Sequence, residues 1–212
     1  MKKYLALFFA VFVTLNCFAE SVYSYDLTKD LVIGSVSLGL TASSFFIHNS
    51  TDNSSKDAVL QRSSVNAFDR GLVFEFNKPL DLTSDIAVYG ILALPVLSLA
   101  GNVKNANAWI TYGVMYAESA LLVFGTTEVL KNAVLRYRPY FYYGEIPSGR
   151  EKEFYQSFPS RHTAFAFMSA GFLSSTFSAE YPDSPWRIPI YAVSYTLAAG
   201  VGASRIFSGN HF

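Results

Sequence analysis

Two of the three histidines of this chain fall into short clusters with its cations, and the clusters stand at the ends of apolar stretches. The first holds Lys131, Arg136 and Arg138-Pro139, and the second holds Pro159-Ser160-Arg161-His162. The third holds Ser204-Arg205 and, after a glycine, His211. Arginine presents a planar fork of donors that matches phosphate oxygens, and lysine a compact charge. A neutral imidazole can attack through one ring nitrogen while the other is held by a partner, and it can also carry a proton. Two imidazoles and three cations therefore fit phosphoryl transfer. One histidine attacks phosphorus, the other protonates the departing oxygen, and the cations stabilise charge on the equatorial oxygens.

Placement of these side chains follows from local signals. Lys131 and Arg138 are seven residues apart, so a continuing helix would put them on one face two turns apart. Leu135 and Pro139 end that helix and aim both cations at one place. Arg136 lies off the face and is expected at the surface or against lipid headgroups. Glu128, three residues before Lys131, shares its face and can orient it. Pro159-Ser160 reads as a helix start with Ser160 as its cap, and a helix N-terminus turns free N–H groups toward an anion. His162 in the first turn would then touch the leaving side. Arg161 could add a phosphate contact or crowd the backbone approach. Gly209 permits a turn between Arg205 and His211, whereas Ser148-Gly149-Arg150 resembles the second cluster without its histidine and reads as loop.

The elements around these clusters are apolar. Of 212 residues 51% are hydrophobic and 15% charged, against roughly 25% charged in a soluble domain. The balance favours a membrane protein. Net charge is zero, so nothing global attracts nucleic acid and any basic patch must be local. Cys17 is the only cysteine, which excludes an intramolecular disulfide and a cysteine metal cluster. Residues 1–19 carry Lys2 and Lys3, an apolar core and Ala19, which reads as a signal peptide of bacterial style or an uncleaved first span, with a lipoprotein site at Cys17 as a third option. Apolar runs follow at 31–47, 86–100, 109–130, 162–179 and 186–203, with Pro95 interrupting the second, and 65–81 reads as an interfacial segment ending at Pro79. Glu118, inside the third run, is either functional or a buried partner of a hydroxyl or base. The expectation is an all-α bundle of about five helices after the signal segment.

In order, Lys131 with Arg138-Pro139, Pro159-Ser160 with His162, and Ser204-Arg205 with His211 resemble the three motifs of the type 2 phosphatidic acid phosphatase (PAP2) family, whose superfamily includes bacterial acid phosphatases and vanadium haloperoxidases. The resemblance covers 131–211 and departs from the family at Arg161, where glycine is usual. It implies a multi-helix transmembrane bundle over 20–212 that hydrolyses a lipid phosphate monoester or diphosphate, with no cofactor and no metal. His211 would be the nucleophile of a phosphohistidine and His162 the general acid. Lys131, Arg138, Ser160, Arg161 and Arg205 would bind phosphate. The family continues past the nucleophile into a helix whose acid orients it, so the domain is expected to lack its last helix. The implied location is the bacterial cell membrane, multi-pass, with the site toward the periplasm or extracytoplasmic side. For that orientation one of the short runs, 31–47 or 86–100, must fail to cross. The other readings are a non-catalytic or truncated family member, a vanadate haloperoxidase and a transporter. Oligomeric state leaves no mark in the sequence.

Overall fold

Asp26 starts the first helix, its Oδ1 accepting from the backbone N–H groups of Thr28 and Lys29 at 3.0 and 3.2 Å. The computed structural model describes residues 22–50, 60–100, 103, 105–144, 146–151 and 153–212. The signal segment expected over 1–19 lies outside them. Helix α1 spans Leu27–Ser50. Two 3-10 turns, Arg62–Ser64 and Arg70–Leu72, lead to α2, Lys78–Leu99. Asn77 caps α2 by accepting from Leu80 N at 3.0 Å, and Pro79 sits in its first turn. Pro79 thus opens a helix where the sequence reading had an interfacial segment close. Asn105 caps α3, Ala106–Val134, which ends on Leu135 in the left-handed conformation. Helix α4, Arg161–Glu180, is capped by Ser160, and α5 spans Arg187–Phe207. These are the five helices expected, and among the described residues there is no strand.

Pro95 does not break α2. Its missing N–H leaves the Ile91 carbonyl without a helical donor, and Ser169 Oγ of α4 donates to that oxygen at 2.8 Å. Tyr116 of α3 donates to Leu92 O beside it at 3.0 Å. Neighbouring hydroxyls thereby keep the helix continuous through its proline.

Helix α1 lies along α3, α4 packs on α5, and α2 crosses both α4 and α5. Close approach of α1 to α3 depends on Gly125, where a Cβ would fall 2.8 Å from Leu40 Cβ and Thr41 N. Val88 and Ile91 of α2 meet Ala166 and Ala170 of α4 and Ala198 and Val201 of α5 in one core. The small residues let the backbones come close, as in helix packing within membranes. Polarity is distributed to match. Ser37, Ser84, Ser169 and Ser194 are buried, while Ile86, Tyr89 and Leu97 of α2 and Ile188, Tyr191 and Val193 of α5 are exposed. Contiguous exposed apolar faces of this kind suit contact with lipid.

By length and composition one described helix, α2 over Lys78–Leu99, can cross a membrane, with mean hydropathy 1.7. The multi-span bundle expected from the sequence is met in its all-helical form, with that single candidate span. The other described helices are interrupted too often by polar residues, hydroxyls above all in α4 and α5, to reach that mean hydropathy. The apolar run expected from 86 is the inner part of α2. Its first two turns carry Asp81, Ser84 and Asp85, and these face the end of the bundle where the site lies.

Candidate active site

The third cluster is shaped by how α5 ends. Ser208 caps the helix, Gly209 turns left-handed at φ 72°, and the N–H groups of Asn210 and His211 return to the Arg205 carbonyl at 3.2 and 3.1 Å. The five-residue spacing between Arg205 and His211 is one helix end folded back on itself. Gly209 is required there, because a Cβ would fall 2.5 Å from Glu75 O and 2.7 Å from Phe74 O. Asn77 N donates to Ser208 O and Tyr140 N to Gly209 O, each at 3.1 Å, so the tail is pinned from both sides.

His211 is buried, and its Nδ1 lies 2.7 Å from the Ser157 carbonyl oxygen. A carbonyl only accepts, so Nδ1 carries the proton and Nε2 the lone pair. Burial, with Arg138 and Arg205 nearby, holds the imidazole well below its usual pKa, and the ring is neutral at pH 7. A backbone carbonyl thus orients this histidine, where the resemblance led one to expect an acid from a further helix.

Lys131 and Arg138 reach the site by different routes, not along one helical face. Lys131 projects from the last turn of α3, but the chain leaves the helix at Leu135 with φ 47°. Arg138 then arrives in extended conformation, its N–H donating to Phe154 O at 2.7 Å. Its guanidinium donates to Glu153 O, Asn210 Oδ1 and Glu153 Oε2 at 2.8, 2.9 and 3.2 Å. Burial pushes the Lys131 ammonium down to about 8. Glu128 Oε1 lies 3.4 Å from Lys131 Nζ and accepts from Arg161 at 3.0 Å.

Arg205 is 1% exposed and donates to Asp81 Oδ1 at 2.5 Å and Ser84 Oγ at 3.0 Å, and its Nε has no protein partner. His162, in the first turn of α4, meets Asp85 Oδ1 through Nε2 at 2.8 Å. Burial first, then Arg205 and Arg161, bring its imidazole down to about 4.

These groups enclose a cavity of about 390 Å³. Its walls include Lys131, Arg138, Arg161, His162, Arg205 and His211, which the sequence placed at the site. Ser160 is not among the lining residues. Its Oγ accepts from Thr163 N at 3.3 Å as the cap of α4. Arg161 stands at the wall beside Phe124, its charge 5.7 Å from that ring.

Residues 109–212 match the family model of the PAP2 superfamily. This part of the chain is a PAP2 superfamily domain. No curated protein and no solved structure matches the chain. The PAP2 match begins in α3 and takes in α4, α5 and all three clusters, and PAP2 membership suggests phosphatase-like activity. PAP2 proteins are usually membrane-bound, in keeping with the candidate span in α2.

Several residues around the PAP2 cavity went unread in the sequence. Arg150 lines it and bridges Asp81 Oδ2 at 2.5 Å to Asn210 Oδ1 at 3.1 Å. Asp81 and Asp85 come from α2, outside the matched residues. Beside Glu128, which the sequence did bring to Lys131, two further carboxylates therefore stand at the site, each beside a cation. Their signal was available: Asp81 and Ser84 lie on the stripe of α2 that continues through Val88, Ile91 and Pro95 into the core. A carboxylate on a buried stripe marks a site or a buried ion pair. Arg136, expected at the surface or against lipid headgroups, is partly exposed, held by Asp69 at 2.5 Å and 4.1 Å over the Phe212 ring. Glu118 does not line the cavity and sits against Gly34 of α1.

Proposed function

We propose that this chain is a membrane phosphatase that hydrolyses a lipid phosphate monoester or diphosphate through a phosphohistidine on His211. One observation carries the reading: the Ser157 carbonyl fixes the proton on Nδ1 of a buried, neutral His211, which leaves the Nε2 lone pair in a cavity walled by Lys131, Arg138 and Arg205. In the first step Nε2 bonds to phosphorus while the bond to the leaving oxygen breaks. That oxygen takes a proton from His162, and the cations hold the equatorial oxygens. Water then attacks the phosphohistidine, with His162 receiving its proton.

A lipid substrate is favoured by the cavity mouth. Tyr89 lines the cavity and is 72% exposed on the same apolar side of α2 as Ile86. An acyl or prenyl tail can lie along that face while its phosphate enters. In this reading α2 crosses the bilayer, and the site stands at its extracytoplasmic end.

The test is release of inorganic phosphate by the detergent-purified full chain from lipid phosphates and diphosphates with EDTA present. His211→Ala should abolish turnover and the acid-labile phosphoprotein formed in a rapid quench. Wild-type turnover by His211→Ala would refute the assignment.

A further inference from the structure

Asp85 stands opposite His162 across the interface of α2 and α4. Its Oδ1 lies 2.8 Å from His162 Nε2 and 3.6 Å from an Arg205 nitrogen, and both partners of the pair line the cavity. Their separation is set from below, where Val88 and Ile91 of α2 pack on Ala166 and Ala170 of α4. Asp85 also lies outside residues 109–212, so the family motifs do not assign it a part.

The imidazolium that a general acid requires is opposed on three sides. Lys131 of α3, Arg161 of α4 and Arg205 of α5 all act against a charged His162, as does burial, while Asp81 of α2 favours it. A carboxylate in direct contact is the nearest counter-ion the site offers. It also decides where the proton sits, because a carboxylate accepts and Nε2 must then donate.

We infer that Asp85 is the positioning residue of His162, its carboxylate holding the Nε2 proton at the cavity wall where the leaving oxygen arrives; the kinetic consequence rests on the phosphatase reading above. The proton count closes over one turnover. The His162 imidazolium gives its Nε2 proton to the leaving oxygen as that oxygen takes the electron pair of its bond to phosphorus. The neutral ring then takes a proton from the water that attacks phosphorus, and the His211 nitrogen leaves with its electron pair. Asp85 keeps its charge throughout.

Leaving-group dependence tests this. Nitrophenolate departs without a proton, whereas an alkoxide does not. In the full chain Asp85→Asn should lower kcat on decyl phosphate by about 10- to 100-fold, a share of the roughly 10²–10⁴ of general acid catalysis, and on nitrophenyl phosphate by less than about threefold. Asp85→Glu should recover part of the decyl phosphate rate. In a His162→Ala background, Asp85→Asn should add nothing further. Equal slowing of both esters, or full additivity with His162→Ala, would overturn the inference. A second measurement does not depend on activity: in ¹⁵N-histidine-labelled protein, Asp85→Asn should lower the titration midpoint of His162 Nε2. An unchanged midpoint would overturn the pair. A wild-type chain that hydrolyses neither ester would count against the phosphatase reading alone, and the titration would then decide the pair.

Discussion

Gly209→Ala tests whether the turn after α5 is what delivers His211. At φ 72° an alanine costs about 1–2 kcal/mol for the left-handed conformation alone. Its Cβ would also fall 2.5 Å from Glu75 O and 2.7 Å from Phe74 O, and both are backbone atoms in the segment leading into α2. Neither side gives easily, because Asn77 N holds Ser208 O and Tyr140 N holds Gly209 O. Opening the 2.5 Å approach to ordinary contact displaces the tail by about 0.9 Å, and a misplacement near 1 Å costs about 10²-fold in rate. The expected outcome is a kcat lower by about 10- to 100-fold with KM little changed, and a stability loss of about 2–4 kcal/mol. Phosphate release and thermal unfolding read the two effects separately. Gly39→Ala in α1, where a Cβ meets nothing within 4 Å, is the control and should leave kcat as it was. A Gly209→Ala enzyme with wild-type kcat would refute the argument that this turn sets the position of the nucleophile.

Two further predictions concern the cations. Below about pH 8 Lys131 is charged and above it neutral, so kcat/KM, which follows the free enzyme and already declines as His162 loses its proton near 4, should show a second, steeper fall with a midpoint near 8. Lys131→Arg should move that limb upward, and a limb that stays in place would assign it to another group. Arg205→Lys should lower kcat/KM by about 10²-fold, because a lysine cannot fork between phosphate and the Asp81 and Ser84 oxygens it now serves. Measured kcat/KM within threefold of wild type would remove Arg205 from the phosphate site.

Much of the site could be read from residue types because each motif is local. Ser160 announces the start of α4, and Arg205, Gly209 and His211 lie within one folded-back helix end, so spacing alone carries their geometry. What could not be read is tertiary. Asp81 and Asp85 precede the clusters by many residues, and only the packing of α2 against α4 and α5 brings its first turns to the cavity. Arg150 sits in a loop whose conformation no periodicity describes. The shared helical face of Lys131 and Arg138 failed for a specific reason: Leu135 turns left-handed, and Glu153 and Phe154 supply the partners that hold Arg138 after the helix is gone. Fold class was legible from the apolar runs, while their span lengths were not, since Asp81, Ser84 and Asp85 hide the beginning of α2 as a helix.

The pairing of every cavity cation with a carboxylate bears on turnover. Lys131 and Arg161 share Glu128, Arg138 and Arg150 share Glu153, and Arg150 and Arg205 share Asp81. A cluster of unpaired cations would grip inorganic phosphate as firmly as the ester and would be slow to let it go. In the proposed reaction each contact to phosphate would be made against a carboxylate that competes for the same donors, and the ion pairs would re-form as the product departs. Product inhibition should therefore be weak, and with Asp85 and Glu153 in the wall and Asp81 and Glu128 behind it set against five cations, the small residual charge should leave substrate capture little affected by salt. If the substrate is the amphiphile proposed above, already concentrated in the bilayer, long-range attraction matters little, and the cycle is better served by a site that empties readily.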